Sequence, residues 1–325
     1  MKSSVGIKLT QASRLKSVVV IAAIIVGSAL LVVKPAHAQA VADRGTIPAG
    51  KFSLRYRIEG TGRPTVVIGS AIYYPRVFSQ NLRKHRQLIF LDHRAFASSP
   101  GHVDKTEFAL DKLVDDIERA RRQLRLEKIA VIGHSGHAFL ALEYAKKYAA
   151  HVSHVVLIGA APDFGIGCTQ AAEQYWQTAA SPERKAALVE SMQKMPESLL
   201  ERLPATEQLV KSYVRIGPRA WYDFHFDASP LWAGVKLNAE GFTYLWNEVF
   251  RDIDITKGLS GFDRPVFLAL GRYDFIVAPP SSWDQIRPLF RELTVRVFDR
   301  SGHTPPYEEP ELFDAELLRW FAGHQ

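Results

Sequence analysis

The sequence predicts an α/β fold in which a mostly parallel sheet of about eight strands is flanked by helices and interrupted once by a helical insertion. Three observations carry this expectation. Short apolar runs of strand length alternate with amphipathic helical stretches in the first half of the chain and again near its end. Several of these runs lack polar alternation, as strands buried on both faces do. The rhythm breaks at Ala161 and resumes at Pro265, and the stretch between is helical in texture, with Trp176, Trp221, Trp232 and Trp246.

Residues 1–38 read as an export signal. A basic start precedes an apolar run of about 16 residues, short of the roughly 20 that span a bilayer, and Ala36-His37-Ala38 follows as a small-x-small cleavage site. Cleavage near Ala38 would leave a periplasmic or secreted protein; an uncleaved segment would anchor it in a membrane. The sole cysteine, Cys168, cannot form an internal disulfide or carry an N-terminal lipid. Residues 39–50 read as a linker.

From Lys51, the alternation of Phe52, Leu54, Tyr56 and Ile58 predicts a half-buried strand closed by Gly60-Thr61-Gly62. Residues 64–69 and 87–92 are buried-strand runs, with a short helix expected over 77–85. The clearest helix runs from Thr106 to Leu126, with Leu110, Leu113, Val114, Ile117, Ala120 and Leu124 on one face and Asp104 with Glu107 as a capping box. A strand over 128–133, a helix over 137–149 and a strand over 154–160 follow. After the insertion come a strand over 265–271, a helix near 281–290, a strand over 293–298 and a final helix from Pro310. The division is a core over 51–162, an insertion over 163–258 and the rest of the core over 259–325.

The chain's 325 residues suit one large α/β domain with an insertion or two small domains, and 47% apolar composition suffices for a sizeable core. The net charge of +7 misleads. Lys2, Lys8, Arg14, Lys16 and Lys34 precede residue 39 without a single acid, and the remainder holds 36 basic against 34 acidic residues. That balance gives no reason to expect a nucleic-acid partner.

The run Gly133-His134-Ser135-Gly136-His137 joins an apolar strand to a helix. A turn this sharp lifts a serine hydroxyl toward a pocket and aims the first helix amides at the same spot. A serine nucleophile needs a base to take its proton and an acid to orient that base. Asp274 stands just past one late strand and His303 just past the next, and the order Ser, Asp, His is that of nucleophile-elbow enzymes. Asp163, after strand 154–160, is an alternative acid or the start of the insertion.

Residues 51–325 resemble the α/β-hydrolase superfamily, particularly its capped branch of proline iminopeptidase-like enzymes and esterases. The matching stretches are Gly133-His134-Ser135, Leu270-Gly271-Arg272-Tyr273-Asp274-Phe275, Gly302-His303-Thr304-Pro305-Pro306-Tyr307-Glu308-Glu309-Pro310, and the loop from Asp92 to Ser99, where alanines replace the family's glycines. The resemblance implies an α/β-hydrolase fold with a helical cap after the sixth strand. It implies Ser135 as nucleophile, His303 as base and then acid, and Asp274 as orienting carboxylate. It places one oxyanion donor at the Gly136 amide. Where the family carries His-Gly-Gly-Pro this chain has Gly69-Ser70-Ala71, which puts the second donor at the Ala71 amide and argues against a standard proline iminopeptidase.

His137 departs from the family's glycine; it either shapes the pocket floor or packs within its helix. Tyr73 and Tyr74, beside the expected oxyanion loop, with His134 and Trp221, are further pocket candidates. The insertion's carboxylates Glu173, Asp223, Asp227 and Glu240 are candidates to capture a free amino terminus or are plain helix surface. The pairs His134/His137 and His151/His154 have metal-compatible spacing, but no carboxylate completes a zinc pattern, so they read as turn or surface histidines and no metal or organic cofactor is expected. The expected activity is hydrolysis of a small ester, with an N-terminal peptide bond second. A non-catalytic small-molecule binder on the same fold is the alternative of another class.

Overall fold

A computed structural model of the chain describes residues 42–97 and 103–324. The expected leader and Ser98 and Ser99 of the loop after Asp92 lie outside the described residues. Eight strands form one sheet in the order β1-β2-β4-β3-β5-β6-β7-β8. They are β1 Arg44–Ala49, β2 Phe52–Glu59, β3 Arg63–Gly69, β4 Arg86–Asp92, β5 Ile129–His134, β6 Val152–Ile158, β7 Val266–Gly271 and β8 Leu293–Phe298. β1 and β2 are antiparallel to each other, β2 is antiparallel to β4, and all other pairings are parallel. Every residue of β5 and β7 is buried, which is why these runs show no polar alternation.

Helices cover both faces. α1 spans Gln80–His85, α2 Leu110–Gln123 and α3 His137–Lys147. The insertion follows β6, the sixth strand. It holds α4 Ile166–Ala179, α5 Pro182–Lys194, α6 Glu197–Leu200, α7 Ala205–Arg215, α8 Gly217–Ala220, α9 Ser229–Trp232 and α10 Ala239–Tyr244. α11 Pro305–Glu308 and α12 Pro310–Gly323 close the chain.

Three expectations are corrected. The segment 39–50 is not a plain linker, because β1 pairs residue by residue with β2, from Arg44 opposite Arg57 to Ala49 opposite Phe52. Only Ile47 and Ala49 are buried in it, too few apolar positions to show a period. Gly50, at φ +62°, begins the two-residue turn that closes this hairpin. The helix expected over 106–126 is broken at Ala109, whose ψ of 145° separates a 3-10 turn, Lys105–Phe108, from α2. Asp104 caps that turn through the Thr106 amide, while Glu107 is engaged by Arg94 and Lys112. The helix expected near 281–290 is two 3-10 turns, Pro280–Trp283 and Arg287–Leu289. Pro279, Pro280 and Pro288 lack the N–H groups a continuous helix needs.

Register positions the site. In the parallel ladder Gly69 lies opposite Asp92, Ile68 opposite Gly133, His134 opposite Ile158, and Gly271 opposite Phe298. The strands therefore end nearly flush. The residues that follow them, Ser70, His93, Ser135, Asp274 and His303, issue from one edge of the sheet, where ligands of open α/β sheets bind.

Candidate active site

Ser135 sits between β5 and α3 with φ +57°, a left-handed conformation that costs a non-glycine residue about 1–3 kcal/mol. Its amide donates to the Ile158 carbonyl of β6 at 2.8 Å, which fixes the turn against the sheet. Glycines allow the chain to fold back this sharply. A Cβ on Gly133 would lie 2.2 Å from the His137 carbonyl oxygen. A Cβ on Gly136 would lie 2.7 Å from the Phe250 ring and 3.1 Å from Trp246, both from the insertion. Gly136 therefore admits insertion aromatics directly beside the serine.

His303 lines the same pocket as Ser135. Its Nδ1 lies 2.7 Å from Asp274 Oδ2, and both groups are buried. Asp274 Oδ1 accepts from the Ile276 amide at 3.1 Å, so the carboxylate is held on both oxygens. Burial alone would lower the His303 imidazole, but the Asp274 charge and hydrogen bond outweigh it and hold its pKa above the ordinary value. The alternative acid, Asp163, accepts instead from the Gly165 amide at 2.7 Å and lines a neighbouring cavity with Cys168, Glu173 and Arg219.

The loop bearing His303 is tied to the insertion. The His303 amide donates to the Ala220 carbonyl at 2.6 Å, and the Phe275 amide to Arg219 at 2.9 Å. Glu308, to which no role had been assigned, accepts from the amides of Gly302 and Thr304, each at 3.0 Å, and from Tyr222 at 2.6 Å. Burial raises its pKa to about 7 against those bonds. Arg184 of α5 donates to the carbonyls of Pro218, Trp221 and Tyr222, which clamps the docked segment.

The Ala71 amide is not placed as expected. It donates at 2.7 Å to Asp92 Oδ1, a buried carboxylate also held by Arg55. That bond is charge-assisted, and it occupies the donor that the strand alignment assigned to an oxyanion. Ser70, the preceding residue, lines the pocket.

Tyr73, Tyr74, His134, His137 and Trp221 all line the pocket. His137 both packs and lines, since its Nδ1 lies 3.1 Å from the His134 carbonyl oxygen within the turn. Trp246 stacks on Phe242 at 3.8 Å and meets the His137 ring edge to face at 5.3 Å. The pocket encloses about 80 Å³. Glu173, by contrast, pairs with Arg219 and Gln177 at the surface, and Asp223 and Asp227 cap local turns through the amides of His225 and Ser229. His154 is hydrogen-bonded to the His324 carbonyl and packs on Trp320. His93, not singled out by the sequence, follows the carboxyl end of β4 and lies 2.9 Å by Nε2 from Nε2 of the pocket residue His137.

A serine on a strained strand–helix turn thus lines one pocket with a buried imidazole–carboxylate pair, on a sheet of the α/β-hydrolase type. The chain belongs to the α/β-hydrolase fold family, whose model matches residues 61–310. It is 39% identical over 269 residues to the AB hydrolase superfamily protein YclE of Bacillus subtilis, covering 83% of this chain and 95% of that protein. It is 24% identical to a proline iminopeptidase of Heyndrickxia coagulans, again over 83% and 95% of the two chains. Among solved structures, the esterase EaEST of Exiguobacterium antarcticum shares the fold with a TM-score of 0.62 at 21% identity, over 85% of this chain and 98% of that one.

Proposed function

We propose that the protein is an exported serine hydrolase that cleaves a small ester through an acyl-enzyme. His303 takes the proton of Ser135 as Oγ attacks the ester carbonyl, and Asp274 holds the imidazole by Nδ1 and stabilises the imidazolium. The oxyanion is received by the Gly136 amide at the start of α3 and by the Ser70 amide, since Ala71 is already engaged. The alcohol leaves with the proton from His303. Water, deprotonated by the same base, then releases the acid and restores Ser135.

The single observation that carries this reading is the His303–Asp274 hydrogen bond of 2.7 Å in the pocket that Ser135 lines. The lining supports the substrate class. Tyr73, Trp221, Trp232, Phe242 and Trp246 offer ring surfaces, and the described pocket-lining residues include no carboxylate to pair an ammonium group. This favours an apolar acyl group over an aminoacyl one. The second reading, an aminopeptidase, is supported by the likeness to a proline iminopeptidase. Export rests on the leader-like residues 1–38.

The test is labelling by a fluorophosphonate, followed by turnover of short p-nitrophenyl esters and aminoacyl-naphthylamides, for the protein and its Ser135→Ala variant. Ester turnover and labelling, both lost in the variant, are expected. Labelling retained by Ser135→Ala would overturn the mechanism, and preferred cleavage of the naphthylamides would overturn the substrate class.

A further inference from the structure

Four ring side chains behind the Ser135 turn take no part in the steps above: His93, Tyr74, His134 and His137. They come from the carboxyl ends of three neighbouring parallel strands. Tyr74 follows β3, His93 follows β4, His134 ends β5 and His137 opens α3. One line of hydrogen bonds joins them. The Ala95 amide donates to His93 Nδ1 at 3.1 Å, and His93 Nε2 lies 2.9 Å from His137 Nε2. His137 Nδ1 lies 2.9 Å from Tyr74 Oη, and Tyr74 Oη lies 3.3 Å from His134 Nδ1. His134 Nε2 lies 2.9 Å from the carbonyl oxygen of His303.

The two ends set every proton between them. An amide N–H only donates, so His93 Nδ1 accepts and a neutral His93 carries its proton on Nε2. His137 Nε2 must then accept, which leaves its proton on Nδ1, shared between Tyr74 Oη and the His134 carbonyl. The Tyr74 hydroxyl proton turns to His134 Nδ1. The remaining proton of His134, on Nε2, is donated to the His303 carbonyl, which only accepts. Each nitrogen and the phenol oxygen has a partner, and no ring needs a charge. Burial depresses His93 and His134 to about 3 and His137 well below its ordinary value, so the rings stay neutral. The room is made by Gly69, where a Cβ would lie 2.2 Å from the Tyr74 ring and 3.0 Å from His137.

We propose that this line is a positioning device that holds the turn after β3 and the His303 loop in register with Ser135, with His93, His137, Tyr74 and His134 as its positioning residues. Apolar rings of the same size would fill the space but would fix no direction, whereas each hydrogen bond here specifies which atom faces which. The device rests on the reading of Ser135 as nucleophile. It adds to that reading a dependence of catalysis on His93, which does not line the substrate pocket.

The experiment compares the full-length protein with Ser135→Ala, His93→Phe, His93→Gln and Tyr74→Phe, using p-nitrophenyl acetate turnover and the rate of fluorophosphonate labelling. His93→Phe and Tyr74→Phe are expected to lower kcat and the labelling rate about 10²-fold with KM unchanged, the usual consequence of misplacing reacting groups by about 1 Å. His93→Gln, whose amide can accept from Ala95 and donate to His137, is expected to recover most of the rate. Nitrogen-15 spectra of the unmodified protein should show neutral His93 and His134 protonated on Nε2 and neutral His137 protonated on Nδ1. Unchanged kcat in His93→Phe and Tyr74→Phe overturns the device, as does equal loss in His93→Phe and His93→Gln, or any other tautomer pattern. If His93→Phe does not fold, Tyr74→Phe and the tautomers decide. Labelling retained by Ser135→Ala would instead overturn the nucleophile, a separate result.

Discussion

Gly302 packs against Ala220 so closely that a Cβ at 302 would fall 2.1 Å from the Ala220 carbonyl oxygen. The loop carrying the proposed base is thus in main-chain contact with the helical cap. Gly302→Ala must push one away from the other. An overpacked contact of this kind destabilises by about 1–3 kcal/mol, and here the displaced group is the neighbour of His303. The variant is expected to melt earlier and to lose kcat more than KM, measured by thermal unfolding and ester turnover.

Ser135 gives an opposite prediction. Its left-handed backbone is strained by the side chain that the proposed chemistry needs. Ser135→Gly relieves that strain and should raise stability by about 1 kcal/mol while abolishing turnover. Thermal midpoints of the protein, Ser135→Ala and Ser135→Gly check this, with only the glycine variant expected to gain.

The pH profile of kcat/KM should show an acid limb whose midpoint lies above the ordinary histidine value, because Asp274 raises His303 and the base acts only when deprotonated. His93, His134 and His137 add no further step near neutrality, being neutral there already. Asp274→Asn removes the charge that raises the imidazole. It should shift the limb to lower pH and reduce kcat by about 10⁴-fold.

Glu308 links stability to pH. Its folded pKa of about 7 lies above the unfolded value near 4.5, so the folded state binds more protons between these limits. The contribution is fully present below about 4.5 and is lost as pH rises toward 7. Glu308→Gln should flatten the fall in thermal midpoint across that window. A slope unchanged by the substitution would assign the pH dependence to another group.

What was legible in the sequence was local. Strands such as β5 and β7 declare themselves because a run buried on both faces is apolar throughout, and the residues beyond their ends are then obvious candidates. β1 was missed because two buried residues make no period. The choice between Asp274 and Asp163 could not be closed along the chain, since it depends on which carboxylate meets His303 in space. The Ala71 amide was misjudged for a similar reason: its acceptor, Asp92, lies 21 residues away on the neighbouring strand. The pairing of His93 with His137 is likewise created by the order β4-β3-β5, which no spacing in the sequence encodes.

The cap is stitched to the core by main-chain bonds at two places: Arg219 and Ala220 on the loops after β7 and β8, and the Asn238 amide on the Ala95 carbonyl after β4. These bonds tie the roof to three strand-end loops besides its own two chain ends. The rings that line the pocket are then expected to set the largest acyl group admitted. Selectivity is expected to change when Trp232 or Trp246 is trimmed one side chain at a time, with the roof itself left where it stands.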